Sequence, residues 1–102
     1  MSLTLRYDTC DAHGLLIVNG DFTFEVHREF VDFVAEISTK AKVVTVDLCA
    51  ATSLDCAGLA MLAGLHQKLN GANTEIKVLK GGAIEDILIN ANFARLFVIQ
   101  AV

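Results

Sequence analysis

VVTVDLCAATSLDCAGLAMLAGLHQKL, residues 43–69, is the stretch that decides the fold of this 102-residue chain. Its first four residues, Val43–Val46, are all β-branched. Such a run predicts a central strand buried on both faces, as in parallel sheets covered by helices. Four leucines at helical spacing follow in the second half: Leu59, Leu62, Leu65 and Leu69. They predict an amphipathic helix, and the Asn70-Gly71 pair after them is typical of a helix C-terminus. Between strand and helix, residues 48–58 are predicted to form a loop at the carboxyl end of the strand, where α/β proteins place their binding sites.

The flanking segments extend this unit into an alternating order of strands and helices. Apolar spacing predicts strands at Leu3–Tyr7, Leu15–Val18, Glu75–Leu79 and Leu96–Ile99, and helices from about Thr23 to about Thr39 and over Ile84–Ala91. His13-Gly14 separates the first two strands, which predicts a hairpin. The order β-β-α-β-α-β-α-β predicts an α/β fold with a mainly parallel sheet and an N-terminal antiparallel hairpin strand. Right-handed crossovers would wind its helices into a compact βα superhelix.

The first predicted helix carries two stripes with the same spacing. One is apolar and consists of Val26, Phe30, Phe33 and Ile37. The other is acidic and consists of Glu25, Glu29, Asp32 and Glu36. A solvated face explains the acidic stripe most simply. A docking edge for a partner is the alternative that the sequence leaves open.

Length and composition restrict the classes of function. A chain of 102 residues fits one domain, residues 1–102, and a hydrophobic fraction of 54% excludes intrinsic disorder. The net charge of 8 − 12 = −4 argues against nucleic-acid binding, which needs a basic surface. No apolar run approaches the roughly 20 residues of a membrane-spanning helix, and the start MSLTLRYD shows no export signal. We therefore expect a cytoplasmic protein that does not insert into a membrane.

The cysteines give no sign of a disulfide framework or a metal site. Cys10, Cys49 and Cys56 are an odd number and form no CxxC motif. Reduced, mostly buried thiols are therefore expected. His66 falls between apolar positions of the second helix and has no further ligand at a matching spacing, so neither a metal nor another cofactor is expected.

The central stretch resembles the characteristic motif of STAS domains, the anti-sigma factor antagonist family. In that motif an apolar strand ends in Asp-Leu, and Asp-Ser/Thr-x-Gly-Leu opens an amphipathic helix after a short loop. Here the strand ends at Asp47-Leu48, and the helix opens with Asp55–Leu59. Asn19–Phe22 resembles the family's Gly-Glu-Leu-Asp turn, and Ala83–Phe97 resembles its later helix and closing strand. The resemblance covers nearly the whole chain and implies a STAS-type sheet.

What the resemblance implies is a protein-binding module, so no catalytic residue is expected. In the family, a kinase that is also an anti-sigma factor phosphorylates the Ser or Thr after the loop Asp, and the added charge releases or blocks the partner. This chain departs from the pattern there, because Cys56 and Ala57 cannot accept phosphate from such a kinase. Thr23 also replaces the last Asp of the turn. Thr52 and Ser53 are displaced alternative acceptors, although loop hydroxyls more simply bond nearby backbone.

A partner is expected to dock around the start of the leucine helix. The candidate contact residues are Asp21, Thr23, Ser53, Asp55, Cys56, Ala57, Gly58 and Leu59. Structural roles are the simpler alternatives for two of them, because Asp55 can cap the helix and Gly58 can allow close packing. Gly58→Arg is expected to abolish partner binding without unfolding the domain. The partner would be an anti-sigma factor or a kinase of that type.

Two further functions use the same residues. STAS proteins also serve as non-catalytic subunits of ABC-type lipid transport complexes, where the domain would bind the ATPase subunit. The second alternative is a Cys56 thiol that acts as a redox switch or in an enzyme. A helix N-terminus favours the thiolate, whereas Asp55 opposes it, and oxidation of Cys56 would mimic the missing phosphate charge. The sequence places no histidine beside this thiol as a base.

Overall fold

A computed structural model of the chain describes residues 2–69 and 73–102. Its strands are β1 (Ser2–Asp8), β2 (His13–Phe22), β3 (Val43–Leu54), β4 (Asn73–Val78) and β5 (Val98–Ala101). Its helices are α1 (His27–Ile37), α2 (Cys56–Lys68) and α3 (Ala83–Asn90), with short 3-10 helices at Phe24–Val26 and Phe93–Arg95. The predicted order of elements is confirmed. Among the helices described, none has the length and apolar character needed to cross a membrane.

The five strands form one sheet in the order β1-β2-β3-β4-β5. β1 pairs antiparallel with β2, with Leu3 opposite Val18, and the remaining neighbours are parallel. The predicted N-terminal hairpin and parallel remainder are therefore confirmed. Strands β3, β4 and β5 follow one another across the sheet in chain order, so every crossover runs in the same direction. Right-handed crossovers then place α1, α2 and α3 on one face of the sheet.

The core lies between these helices and the sheet. Alternate residues of the inner strands face the helices and are buried, as in β2, where Leu16 and Val18 are inaccessible to solvent. Helix α1 contributes Phe30 and Ile37, and α2 contributes Leu62 and Leu65. These side chains belong to one continuous apolar cluster. Burial of that cluster is the main driving force for this architecture.

The part of the chain that the structure describes places no helix on the opposite face of the sheet, yet Val44, Thr45 and Val46 are all buried, so the predicted burial of β3 on both faces is confirmed there. Thr45 points to this face and is still buried, because two side chains from the neighbouring strands cover it. The Thr45 hydroxyl donates to Glu75 Oε1 (3.0 Å) and lies 2.7 Å from His13 Nε2. A hydroxyl has one proton, so His13 Nε2–H must donate to Thr45. A row of hydrogen bonds thus ties β2, β3 and β4 together.

Strand β3 is longer than predicted. Its pairing with β2 continues as far as Phe22 opposite Leu54, through register shifts between Ile17 and Asn19 and between Gly20 and Asp21. Most of residues 48–58, predicted as a loop, are therefore strand. Only Asp55 separates β3 from α2. The strand therefore ends at Leu54, six residues after the predicted end at Asp47-Leu48 and directly before the predicted site residues Asp55–Leu59.

Two predictions of element ends have different outcomes. The last strand begins at Val98 and not at Leu96, because Phe93–Arg95 form a 3-10 turn that inserts Phe97 into the core. Helix α2 ends at Lys68 with Leu69 as its C-cap. The Asn70-Gly71 signal predicted to end it lies outside the residues that the structure describes.

Candidate functional site

Asp21, near the end of β2, holds two hydroxyls from β3. Its Oδ1 accepts hydrogen bonds from Thr52 Oγ1 (2.7 Å) and Ser53 Oγ (2.8 Å). Asp21 and Ser53 are register partners in the parallel β2–β3 pair, which explains the proximity. The hydrogen bond from Thr52, followed by that from Ser53, lowers the pKa of the Asp21 carboxyl. Asp21 is therefore a fixed anion on the exposed end of the sheet.

Thr23 links the end of β2 to the first helical turn. It has extended backbone and is the N-cap of the 3-10 helix Phe24–Val26. Its Oγ1 accepts from the Glu25 backbone N–H at 3.4 Å. Thr23 thus supplies a cap that an Asp at this position would also supply, so the departure from the family's turn preserves the local structure.

Asp55 caps α2, as the sequence predicted. Its Oδ1 accepts from the Gly58 backbone N–H at 2.8 Å, and Leu59 N–H bonds the Asp55 carbonyl at 3.0 Å. Such a cap satisfies one of the N–H groups that a helix start leaves without a partner. Cys56 is then the first residue of α2 and its side chain is exposed. Ala57 and Leu59 are half-buried, and Leu59 packs against the core.

Gly58 is buried and has a packing role. A Cβ added there would lie 2.5 Å from the Phe22 carbonyl oxygen and 2.6 Å from Leu54 Cδ1. No residue other than glycine fits without a shift of β2 backbone against α2. The expectation that Gly58→Arg leaves the fold undisturbed is therefore wrong, and its effect on partner binding stays a prediction. Gly58 brings the ends of β2 and β3 into contact with the first turn of α2.

The cysteines differ from expectation in exposure. Cys10 and Cys56 are exposed, and only Cys49 is partly buried. Burial raises the pKa of the Cys49 thiol, and Asp47 beside it acts in the same direction. Exposure does not distinguish Cys56 from Cys10, so the structure does not single out Cys56 for oxidation.

The three histidines all contact residues other than Cys56. His13 hydrogen-bonds Thr45, His27 stacks on Phe24 with ring centroids 4.8 Å apart, and His66 meets the Phe97 ring edge-on at 5.6 Å. A Cys–His hydrogen bond is the usual means of activating a thiol nucleophile, and the described residues form none. Within residues 2–69 and 73–102, no three His, Cys, Asp or Glu side chains are grouped to hold a metal ion.

Most of the predicted site residues lie in one region of exposed and half-buried residues at the carboxyl end of the sheet, here named the docking surface after the role proposed for it below. It consists of Asp21, Thr23, Thr52, Ser53, Asp55, Cys56, Ala57 and Leu59. Phe24 lies next to it and was missed by the sequence analysis, although its side chain is 65% exposed. The signal was available, because Phe24 falls outside the apolar stripe that begins at Val26. An exposed aromatic ring is a side chain that protein–protein interfaces favour.

Comparisons with known proteins agree with this architecture. In solved structures, the chain is similar to an anti-sigma factor antagonist from Mycobacterium paratuberculosis, with a TM-score of 0.82, 17% identity, and coverage of 99% of this chain and 87% of that chain. It is similar also to the anti-sigma factor antagonist SpoIIAA in its unphosphorylated form, with a TM-score of 0.77, 8% identity, and coverage of 99% and 89%. At such identities these likenesses establish the fold.

Sequence comparisons establish the family. A STAS-domain containing protein of Pseudomonas aeruginosa strain UCBPP-PA14 is 32% identical over 94 residues, which are 90% of this chain and 93% of that protein. The family model described as "Mlab, STAS domain" matches residues 5–99. The chain therefore belongs to the STAS domain family.

Proposed function

We propose that this chain is a non-catalytic module that docks a protein partner through the docking surface, in the manner of an anti-sigma factor antagonist without its phosphorylation switch. The observation that carries the proposal is the convergence of the ends of β2 and β3 with the start of α2. Asp21 binds Thr52 and Ser53 there, and Gly58 holds α2 against Phe22. These contacts hold Asp21, Thr52, Ser53 and the start of α2 in place, and they do not involve the exposed Cys56 side chain.

Thr52 and Ser53, the two hydroxyl residues of the docking surface that precede Asp55, are poor substitutes for the missing phosphorylation site. Thr52 and Ser53 both donate to the Asp21 carboxylate. A phosphoryl group on either would remove one of these hydrogen bonds and add about two negative charges beside a fixed anion. Cys56 and Ala57 carry no hydroxyl. We therefore infer that partner binding is not regulated by phosphorylation here.

A second candidate role is that of a subunit that binds the ATPase of an ABC-type lipid transport complex. The absence of a hydroxyl at Cys56 and Ala57 favours it, because a permanently assembled subunit needs no kinase-controlled release. Either role places the module in the cytoplasm, where the unpaired Cys10 and Cys56 would stay reduced. The two roles differ in the identity of the partner.

Site-specific photo-cross-linking in the native host tests the proposal. A photoreactive benzoylphenylalanine replaces Cys56 on the docking surface or, as the matched control, Lys42. Lys42 is also exposed but precedes β3, at the opposite end of the sheet. We expect one dominant protein adduct from position 56 and none from position 42. Mass spectrometry of the adduct identifies either a kinase-type anti-sigma factor or a transporter ATPase.

Two results contradict the proposal. The absence of an adduct from position 56, or the same adducts from positions 56 and 42, would show that this end of the domain is not the docking site. A stoichiometric phosphoryl group on Thr52 or Ser53 in protein isolated from cells would show that the surface is switched after all.

A further inference from the structure

Strand β5 forms one edge of the sheet, and its sequence carries no charge. The segment Phe97–Val102 contains neither a charged residue nor a proline. Natural proteins usually protect an edge strand with charges, proline or a covering element, because its free backbone groups otherwise pair with another chain. We propose that β5 pairs in antiparallel orientation with β5 of a second copy of this chain, so that the two five-stranded sheets become continuous in a two-fold symmetric dimer. This inference concerns an edge apart from the docking surface and does not depend on the proposed function.

The backbone hydrogen bonds show which groups of β5 are free. Val102 N–H donates to the Val78 carbonyl (2.9 Å), and the Val102 carbonyl accepts from Lys80 N–H (3.0 Å), so Val102 directs both groups towards β4. Successive residues of a strand direct these groups to opposite sides, so Ile99 and Ala101 direct theirs away from β4. Within residues 2–69 and 73–102, no strand lies beyond β5 to receive them.

An antiparallel copy of β5 provides matching partners for these free groups. When the two strands are aligned with Gln100 opposite Gln100, Ile99 of each copy lies opposite Ala101 of the other. Each such pair exchanges two N–H to C=O hydrogen bonds, and the symmetry axis repeats the pair. The alignment therefore uses every free backbone group of Ile99 and Ala101, and the contact closes at two copies. This self-complementarity is the reason to assign the edge to a second copy of the chain.

The same alignment covers exposed apolar side chains beside the edge. Val98 is the register partner of Glu75, which bonds Thr45 on the face of the sheet opposite the helices, so Val98 lies on that face. Val102 follows four residues later and lies on the same face. Val98 is 62% exposed and Val102 is 64% exposed. Since directly opposite side chains share a face, Val98 of each copy meets Val102 of the other, with the uncharged Gln100 pair between them.

The other edge of the sheet does not favour such pairing. Strand β1 carries Arg6 and Asp8, and Lys40 Nζ lies 4.5 Å from the centre of the Tyr7 ring. Charged side chains are a usual means of keeping an edge strand from pairing. β5 lies two strands from β3 in the sheet, so a dimer through β5 leaves both docking surfaces free. Because the two copies are antiparallel, their docking surfaces are directed to opposite ends of the dimer.

Sedimentation equilibrium of the full chain tests this inference. The interface is small and its association reversible, so we expect monomers at about 1 µM and dimers at about 1 mM. Val98→Lys combined with Val102→Lys places like charges opposite each other in both valine pairs and should abolish the dimer. Val98→Glu combined with Val102→Glu should do the same. An equimolar mixture of the two double variants should form a heterodimer, because each Lys then faces a Glu.

Ala101→Pro provides an independent test, because it removes an outward N–H without loss of a hydrogen bond to β4, and it should also be monomeric. Leu5→Lys on β1 and Ile89→Lys on α3 are the matched controls, since both replace exposed apolar side chains away from β5. Neither control should change the association, and circular dichroism verifies the fold of every variant. A natural chain that stays monomeric at about 1 mM would overturn the inference. Dimers that persist in Ala101→Pro, loss of the dimer in Leu5→Lys, or folded double variants that do not associate when mixed would each overturn it as well.

Discussion

The first and third turns of α2 each contain a glycine, and the two glycines lie on different sides of the helix in opposite surroundings. Gly58 is pressed against the Phe22 carbonyl oxygen, whereas the space beside Gly64 is empty. Gly58 is thus constrained by the fold, whereas Gly64 faces open space. The comparison distinguishes a residue that the fold needs for packing, Gly58, from a residue that is open to a partner, Gly64.

The largest effect is expected for Gly58→Ala. Its added methyl would lie 2.5 Å from backbone, which cannot be relieved by rotating a side chain. We expect the free energy of unfolding to fall by about 1–3 kcal/mol, as for other overpacked sites. Urea unfolding followed by circular dichroism measures it. Unchanged stability would mean that α2 lies farther from β2 than the structure shows.

Removal of the Asp55 cap from the first turn of α2 should lower the free energy of unfolding somewhat less than Gly58→Ala does. Asp55→Ala removes the acceptor for the Gly58 N–H and should lower stability by about 1 kcal/mol. Asp55→Ser retains a capping oxygen and serves as the control, with most of the stability expected to remain. If the two variants unfold at the same urea concentration, the carboxylate is not acting as a cap.

Gly64→Ala should have the opposite sign from Gly58→Ala. The methyl meets no atom within 4 Å, and alanine has the higher helix propensity, so stability should rise by about 0.5–1 kcal/mol. The same unfolding assay compares both variants with the natural chain. A loss of stability at Gly64 would remove the contrast between the two turns.

The smallest effect is expected for Asp21→Asn, and it depends on pH. The folded-state pKa of Asp21 is lowered, so its ionised form stabilises the fold above the pKa of the unfolded chain. That contribution is lost as the pH falls through the lower folded-state pKa. The natural chain should therefore melt above Asp21→Asn at pH 7, and the gap in Tm should close below about pH 4. A gap that widens in acid would show that the Thr52 and Ser53 hydrogen bonds do not favour the carboxylate.

Features that depend on local sequence could be predicted, whereas features that depend on tertiary contacts could not. The order of elements, the Asp55 cap and the cluster of site residues follow from local patterns: apolar spacing, a capping side chain and a strand end. The length of β3 does not, because residues 48–54 lack a strand pattern and are held by pairing with β2. Tertiary pairing overrides local propensity in such cases.

The solvent exposure of individual residues could not be predicted from the sequence either. Cysteine is commonly buried, yet Cys10 lies in the turn after β1 and Cys56 on the solvent side of α2, so both are exposed. The apolar space between α1 and α2, lined by Phe30, Val34, Met61 and Leu65, was missed for a related reason. It depends on the distance between the two helices, which no periodicity within either helix encodes.

The central claim is that the entrance to α2 contacts a partner and lacks its chemical switch. The most direct test uses the partner protein that the cross-linking experiment identifies. Its affinity for the natural chain, for Cys56→Ser and for Cys56→Glu is measured by calorimetric titration. A carboxylate at the first position of a helix is compatible with the helix dipole, so Cys56→Glu should stay folded while it places charge in the interface. We predict equal affinity for the natural chain and Cys56→Ser, and at least ten-fold weaker binding for Cys56→Glu. Full affinity in Cys56→Glu would contradict the claim.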